Sequence, residues 1–179
     1  GTLTLQPNIP TPMKPTMNRR TFLGNSTLAG VGLAAGSLFA QDLKAGSGKL
    51  KVGLIGCGRR GNGALGHFIE AGKILGLEVE VTAVGDAFQD KADATGKNHK
   101  VAPERCFSGY DNYHKVIASG CDYVLMATPP AFRPLHFAAA VEAGKNCFIE
   151  KPVAVDPVGA RAVIATGEKA AAKGLAVVA

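Results

Sequence analysis

The chain has 179 residues, of which 46% are hydrophobic and 19% charged, with a formal net charge of +6. That is enough for one compact domain with a sizeable core, and too little for two full ones. Three of the positives, Lys14, Arg19 and Arg20, stand in residues 1–40, which contain no acid; the remaining +3 is scattered among Asp and Glu without a basic run interleaved with aromatics, which argues against nucleic-acid binding.

Residues 1–16 are rich in Thr and Pro and read as a disordered leader ahead of a start at Met13 or Met17. From Met17 to Ala40 a twin arginine, Arg19-Arg20, is followed by Phe22-Leu23-Gly24 and a mildly apolar, acid-free run ending in small residues. This is the layout of an export signal, and it resembles the twin-arginine translocation signal of bacteria. A membrane anchor needs about 20 strongly apolar residues, and Gly24, Gly30, Gly32 and Gly36 weaken this run as a spanning helix. The expectation is therefore a signal peptide over 17–40, export to the periplasm, no stable membrane span, and a linker over 41–48.

From Lys49 onward, short apolar runs alternate with helical patterns, the signature of βαβ units on a parallel sheet. The run KLKVGLIG, residues 49–56, is a buried strand that enters glycine directly. Gly56, Gly58 and Gly61 then follow in GxGxxG spacing, and a helix begins with Leu65, Phe68 and Ile69 on one face. A glycine-rich turn alone is common, but one between a strand and a helix meets the context of a dinucleotide loop. There Gly56 permits the tight turn, Gly58 lets a pyrophosphate approach the backbone, and Gly61 lets helix and strand pack closely. The helix N-terminus supplies free N–H groups and a positive dipole end, to which Arg59 and Arg60 can add charge.

VEVTAVGD, residues 79–86, is the second strand and ends on Asp86, placed to bind a ribose. A carboxylate there accepts from a 2′-hydroxyl and repels a 2′-phosphate, which favours NAD over NADP. Cys106-Phe107 reads as a short third strand, followed by a helical face of Tyr113, Val116 and Ile117. DYVLMAT is the fourth strand, and the turn PPAFRP leads to a helix over Leu135–Ala143 that Gly144 can cap. NCFIE is the fifth strand; Asp156 then sits as N-cap with Pro157 at the first helical position, Gly174 ends that helix, and LAVVA is a sixth strand. Six strands with intervening helices make one doubly wound α/β domain, a Rossmann fold over 49–179. The four cysteines, Cys57, Cys106, Cys121 and Cys147, form no CxxC or Cys/His cluster, so they read as small buried hydrophobes and no metal site is expected.

Five stretches taken together carry a resemblance: Gly56-Cys57-Gly58-Arg59-Arg60-Gly61, Thr128-Pro129-Pro130, His136, Ala143-Gly144-Lys145 and Glu150-Lys151-Pro152. In order and spacing this set resembles the glucose-fructose oxidoreductase/inositol dehydrogenase family, Gfo/Idh/MocA, over Lys49 to Ala179. The resemblance implies that Lys151 is the catalytic residue, beside the nicotinamide and hydrogen-bonded to the reacting oxygen of a sugar, polyol or related alcohol. It further implies that Glu150 fixes the lysine or the cofactor, that Pro152 turns the chain, through a cis bond if needed, and that Thr128, Pro129 and Pro130 shape the loop under the nicotinamide ribose. His136 completes the implied cofactor set with Gly56, Gly58, Arg60, Gly61, Asp86, Glu150 and Lys151. A cation is needed at Lys151 because negative charge grows on the carbonyl oxygen when hydride arrives.

Members of that family continue past the sixth strand into a second α/β domain that supplies much of the substrate pocket. The chain is therefore expected to be the amino-terminal, NAD(P)-binding part of a longer exported oxidoreductase with a small carbohydrate-like substrate. A glycoside hydrolase using NAD for transient oxidation and a non-catalytic cofactor-binding module are the alternatives. The full-length protein is compatible with a homo-oligomer.

Overall fold

A computed structural model describes residues 49–179; the leader, signal and linker expectations lie outside the described residues. The elements run β1 (Lys49–Ile55), α1 (Arg59–Ile74), β2 (Glu78–Gly85), α2 (Gln89–Asn98), a 3₁₀ turn (Pro103–Arg105), β3 (Cys106–Phe107), α3 (Asn112–Ile117), β4 (Tyr123–Met126), α4 (Arg133–Glu142), β5 (Asn146–Ile149), α5 (Pro157–Ala172) and β6 (Val177–Val178). All strand pairs are parallel, in the order β3-β2-β1-β4-β5-β6.

The inner strands are apolar on both faces because helices cover both sides, and the two-residue period sorts their side chains between two cores. Val52, Leu54, Val84 and Leu125 join Leu65 of α1 and Ala92 of α2 in one. Ile55, Ala83, Val124, Met126 and Ile149 join Val116 of α3, Phe137 of α4 and Ala170 of α5 in the other. Each buried aliphatic side chain contributes about 1.5–3 kcal/mol.

β1 is flanked by β2 on one side and β4 on the other, so the chain reverses its winding direction there, and a crevice opens beyond the carboxyl ends of the strands. The register brings those ends level: Ile55 faces Gly85 and Met126, and Met126 faces Ile149. Bonds from Gly56 N to Gly85 O (2.7 Å), Ala127 N to Ile55 O (2.9 Å) and Glu150 N to Met126 O (2.9 Å) carry the alignment one residue further. The glycine loop, Asp86, the Thr128 loop and the Glu150-Lys151 pair thus leave one edge of the sheet side by side.

Beyond shorter bounds for β4 and β6, which keep Tyr123–Met126 and Val177–Val178, two helices differ from the sequence expectation. α2 was not visible in the pattern, and α4 begins at Arg133 rather than at Leu135. α5 starts as expected: Asp156 accepts from Gly159 N at 2.6 Å with Pro157 behind it.

Candidate functional site

The glycine loop is shaped by what each position can tolerate. Gly56 has φ of +98°, and a Cβ there would lie 2.8 Å from the backbone of Ala127 and Thr128. At Gly61, in the first turn of α1, a Cβ would stand 1.8 Å from Gly56 O, so helix and strand approach as only glycine allows. Gly58 is the contrast, for a Cβ there meets nothing within 4 Å. Gly58 is the N-cap of α1 and offers no side-chain cap bond, leaving the first-turn N–H groups to an outside acceptor.

Asp86 ties this loop to β2. Its Oδ2 accepts from Cys57 N at 2.8 Å and its Oδ1 from Phe88 N at 3.1 Å. A carboxylate has about four acceptor positions, so two remain for hydroxyl donors. Asn62, unremarked in the sequence, reinforces the turn by donating from Nδ2 to Cys57 O (2.8 Å) and by reaching Thr95 Oγ1 on α2 (3.1 Å). Cys57 itself is buried, and that burial pushes its thiol up to about 12, an inert packing residue. All four cysteines are free and buried, and the described residues hold no cluster suited to a metal.

The loop forms one wall of a cleft of about 330 Å³, with Gly56, Gly58 and Asp86 on one side and Thr128, Pro129, Phe132 and His136 on the other. Phe88 and Tyr110 line it largely exposed; Lys91 Nζ lies 4.8 Å from the Phe88 ring centre, and Tyr110 stacks on Phe132 at 5.9 Å. His136 is buried on α4, stacked on Tyr113 at 4.5 Å, with Nδ1 3.3 Å from Thr128 Oγ1. Burial first, and His114 second, press its pKa down to about 4, so the ring is neutral at pH 7. Pro129 lines the cleft, and its carbonyl accepts from Phe132 N at 3.0 Å to close the turn; Pro130 is half-buried behind it.

Glu150 and Lys151 leave β5 in opposite roles. Glu150 is only 4% exposed, and its carboxylate takes Arg60 Nε at 2.6 Å, Arg60 Nη2 at 3.1 Å and Lys151 N at 3.2 Å. The Arg60 hydrogen bonds hold its carboxyl below the usual range against the cost of burial. Arg60, expected as a phosphate ligand, is thus committed to Glu150, because a buried carboxylate requires a partner more than a solvated loop does. Lys151 is exposed, enters none of the ion pairs among the described residues, and is joined to Pro152 by a cis bond.

A residue the motifs did not mark holds these pieces together. Arg133, buried at the start of α4, donates from Nε to Thr128 O at 2.8 Å and from Nη1 to the carbonyls of both Glu150 and Pro152. A cation in the first turn of a helix opposes the helix dipole, a misfit that shows only once α4 is seen to begin at Arg133.

The matched family model is described as "Oxidoreductase family, NAD-binding Rossmann fold" (Gfo/Idh/MocA) and spans residues 50–177. The chain belongs to the Gfo/Idh/MocA family. Inositol 2-dehydrogenase of Cereibacter sphaeroides is 36% identical over 115 residues, which are 64% of this chain and 32% of that protein. In Paracoccus denitrificans the protein of the same name is 33% identical over 127 residues, 70% of this chain and 35% of its own length. Among solved structures, the WlbA dehydrogenase of Bordetella pertussis in complex with NADH and UDP-GlcNAcA superposes with a TM-score of 0.58 at 22% identity, covering 71% of this chain and 36% of that one; this likeness shows the fold. The chain spans about a third of the length of the curated relatives it matches. Residues 49–179 are therefore an NAD-binding Rossmann domain, and the cradle at Gly58 together with the uncapped first turn of α1 fits a diphosphate.

Proposed function

We propose that this Gfo/Idh/MocA chain supplies the cofactor half of an exported oxidoreductase that oxidises a secondary alcohol of a sugar or polyol. The observation that carries the reading is the glycine loop: Gly56 and Gly61 are closed to any side chain while Gly58 faces open space at the cleft. NAD, when bound, supplies the hydride acceptor. Backbone N–H groups of the first turn of α1 bind the diphosphate, and Asp86 accepts from the ribose hydroxyls, which favours NAD over NADP. Thr128, Pro129 and His136 line the nicotinamide end, with His136 neutral and so not repelling a cationic ring. Lys151 holds the alcohol oxygen and stabilises the negative charge that grows on it as the O–H proton passes to solvent, ahead of the departure of hydride from carbon. The inositol dehydrogenases among the relatives support a polyol as the substrate class.

The test is a titration of the full chain with NADH and NADPH. NADH is expected to bind more tightly than NADPH, and Asp86→Ala to weaken NADH about tenfold, roughly 1.4 kcal/mol, while narrowing the gap between the two. No NADH binding by the wild-type protein overturns the reading.

Export is part of the same proposal, supported by Arg19-Arg20 before Phe22-Leu23 and the acid-free run to Ala40. Because free dinucleotide is scarce outside the cytoplasm, the cofactor is carried through already bound. Replacing both arginines with lysine is expected to leave the protein in the cytoplasm on cell fractionation, and denaturing the exported protein is expected to release nucleotide.

A further inference from the structure

Arg133 stands where a cation is least favoured, since it is 5% exposed, sits in the first turn of α4, and has no carboxylate within hydrogen-bonding reach among its partners. Its partners are three main-chain carbonyls, from Thr128, Glu150 and Pro152, in the loops that leave β4 and β5. Past the strand ends these carbonyls have left the sheet ladder; that of Glu150 is buried and those of Thr128 and Pro152 are in part-buried bonds, so donors are needed there. Only the planar fork of guanidinium presents donors in several directions from one rigid group; an ammonium is a point charge.

The choice of carbonyls matters more than their number. Those of Glu150 and Pro152 belong to the residues on either side of Lys151, and both are gripped by the same Nη1. The opposite side of this segment is held by the Glu150 carboxylate, which grips Arg60 on the phosphate helix. Lys151 is thus the exposed residue between two fixed points, while the third bond, to Thr128, references them to the cleft wall.

We propose that Arg133 is a positioning residue for Lys151: by holding the carbonyls before and after it, and Thr128 as the reference, it sets the direction in which Lys151 leaves the sheet edge toward the cofactor. The inference rests on the assignment of Lys151 in the preceding subsection.

The test follows acetylation of individual lysines in the full chain by a succinimidyl ester, read by peptide mass spectrometry, with and without saturating NADH. In the wild-type protein NADH is expected to slow acetylation of Lys151 about tenfold while exposed Lys169 is unaffected. Arg133→Gln is expected to keep NADH binding through the glycine loop and Asp86, which Arg133 does not touch, within about tenfold for the loss of its bond to Thr128, yet to lose most of the protection. Arg133→Lys keeps the charge without the fork and is expected to fall between; it carries the test if the glutamine variant does not fold. A folded variant that binds NADH and protects Lys151 as well as the wild type overturns the role of Arg133 alone. Wild-type protein that binds NADH without protecting Lys151 overturns the placement of Lys151 beside the cofactor, and the inference with it.

Discussion

Glycines 58 and 61 look alike in the sequence and do different work, and single alanines separate them. A Cβ at Gly61 collides with Gly56 O, so Gly61→Ala is expected to cost about 1–3 kcal/mol of stability in urea unfolding as well as NADH binding. Gly58→Ala points into open space; it should leave the unfolding midpoint almost unchanged and still abolish NADH binding, because the methyl group occupies the diphosphate cradle. The loop was legible because its chemistry is local: strand, glycines and helix occur in one uninterrupted stretch. Arg133 was not legible, because its partners lie 5, 17 and 19 residues away and are main-chain carbonyls, which no side-chain pattern announces. The Arg60–Glu150 pair was hidden for the same reason, since Glu150 is 90 residues distant.

The strands were readable as apolar runs bounded by glycine, proline or charge, down to the two residues of β3. Missing from that reading was α2, whose buried positions are Ala92, Thr95 and Gly96. Helices packed through small residues leave no large apolar stripe, and Gly96 is required because a Cβ would meet Cys106 Sγ at 2.2 Å. The early start of α4 has a similar origin, since Pro134 hides the first turn behind what reads as an extended Arg-Pro pair. α5 was fully signposted, and its cap is testable. Asp156→Ala removes the acceptor for Gly159 N and is expected to lower stability by about 1 kcal/mol, measured by urea unfolding, without changing NADH affinity.

Acid should destabilise the whole domain in two successive windows. His136 titrates near 6.5 when unfolded and at about 4 in the fold, so between those values the unfolded chain binds the extra proton and stability falls as pH drops. Glu150 is held below its ordinary value, so its contribution is present above about pH 4.5 and is lost as pH falls through the folded value. His136→Phe, which keeps a ring against Tyr113, is expected to flatten the slope of stability between pH 6.5 and 4 by about 1.4 kcal/mol per unit. NADH at a hundred times its dissociation constant should add about 2.7 kcal/mol, read as a rise in melting temperature. The placement of β1 also has a temporal consequence. The first of these strands to leave the ribosome lies in the middle of the sheet, and one of its two neighbours, β4, is synthesised some seventy residues later. Until Met126 clears the exit tunnel, Val52, Leu54 and Ile55 lack a partner along one edge, and the nascent chain must be shielded from its neighbours. Chains stalled short of β4 should be cut readily by protease, and those stalled beyond β5 should resist.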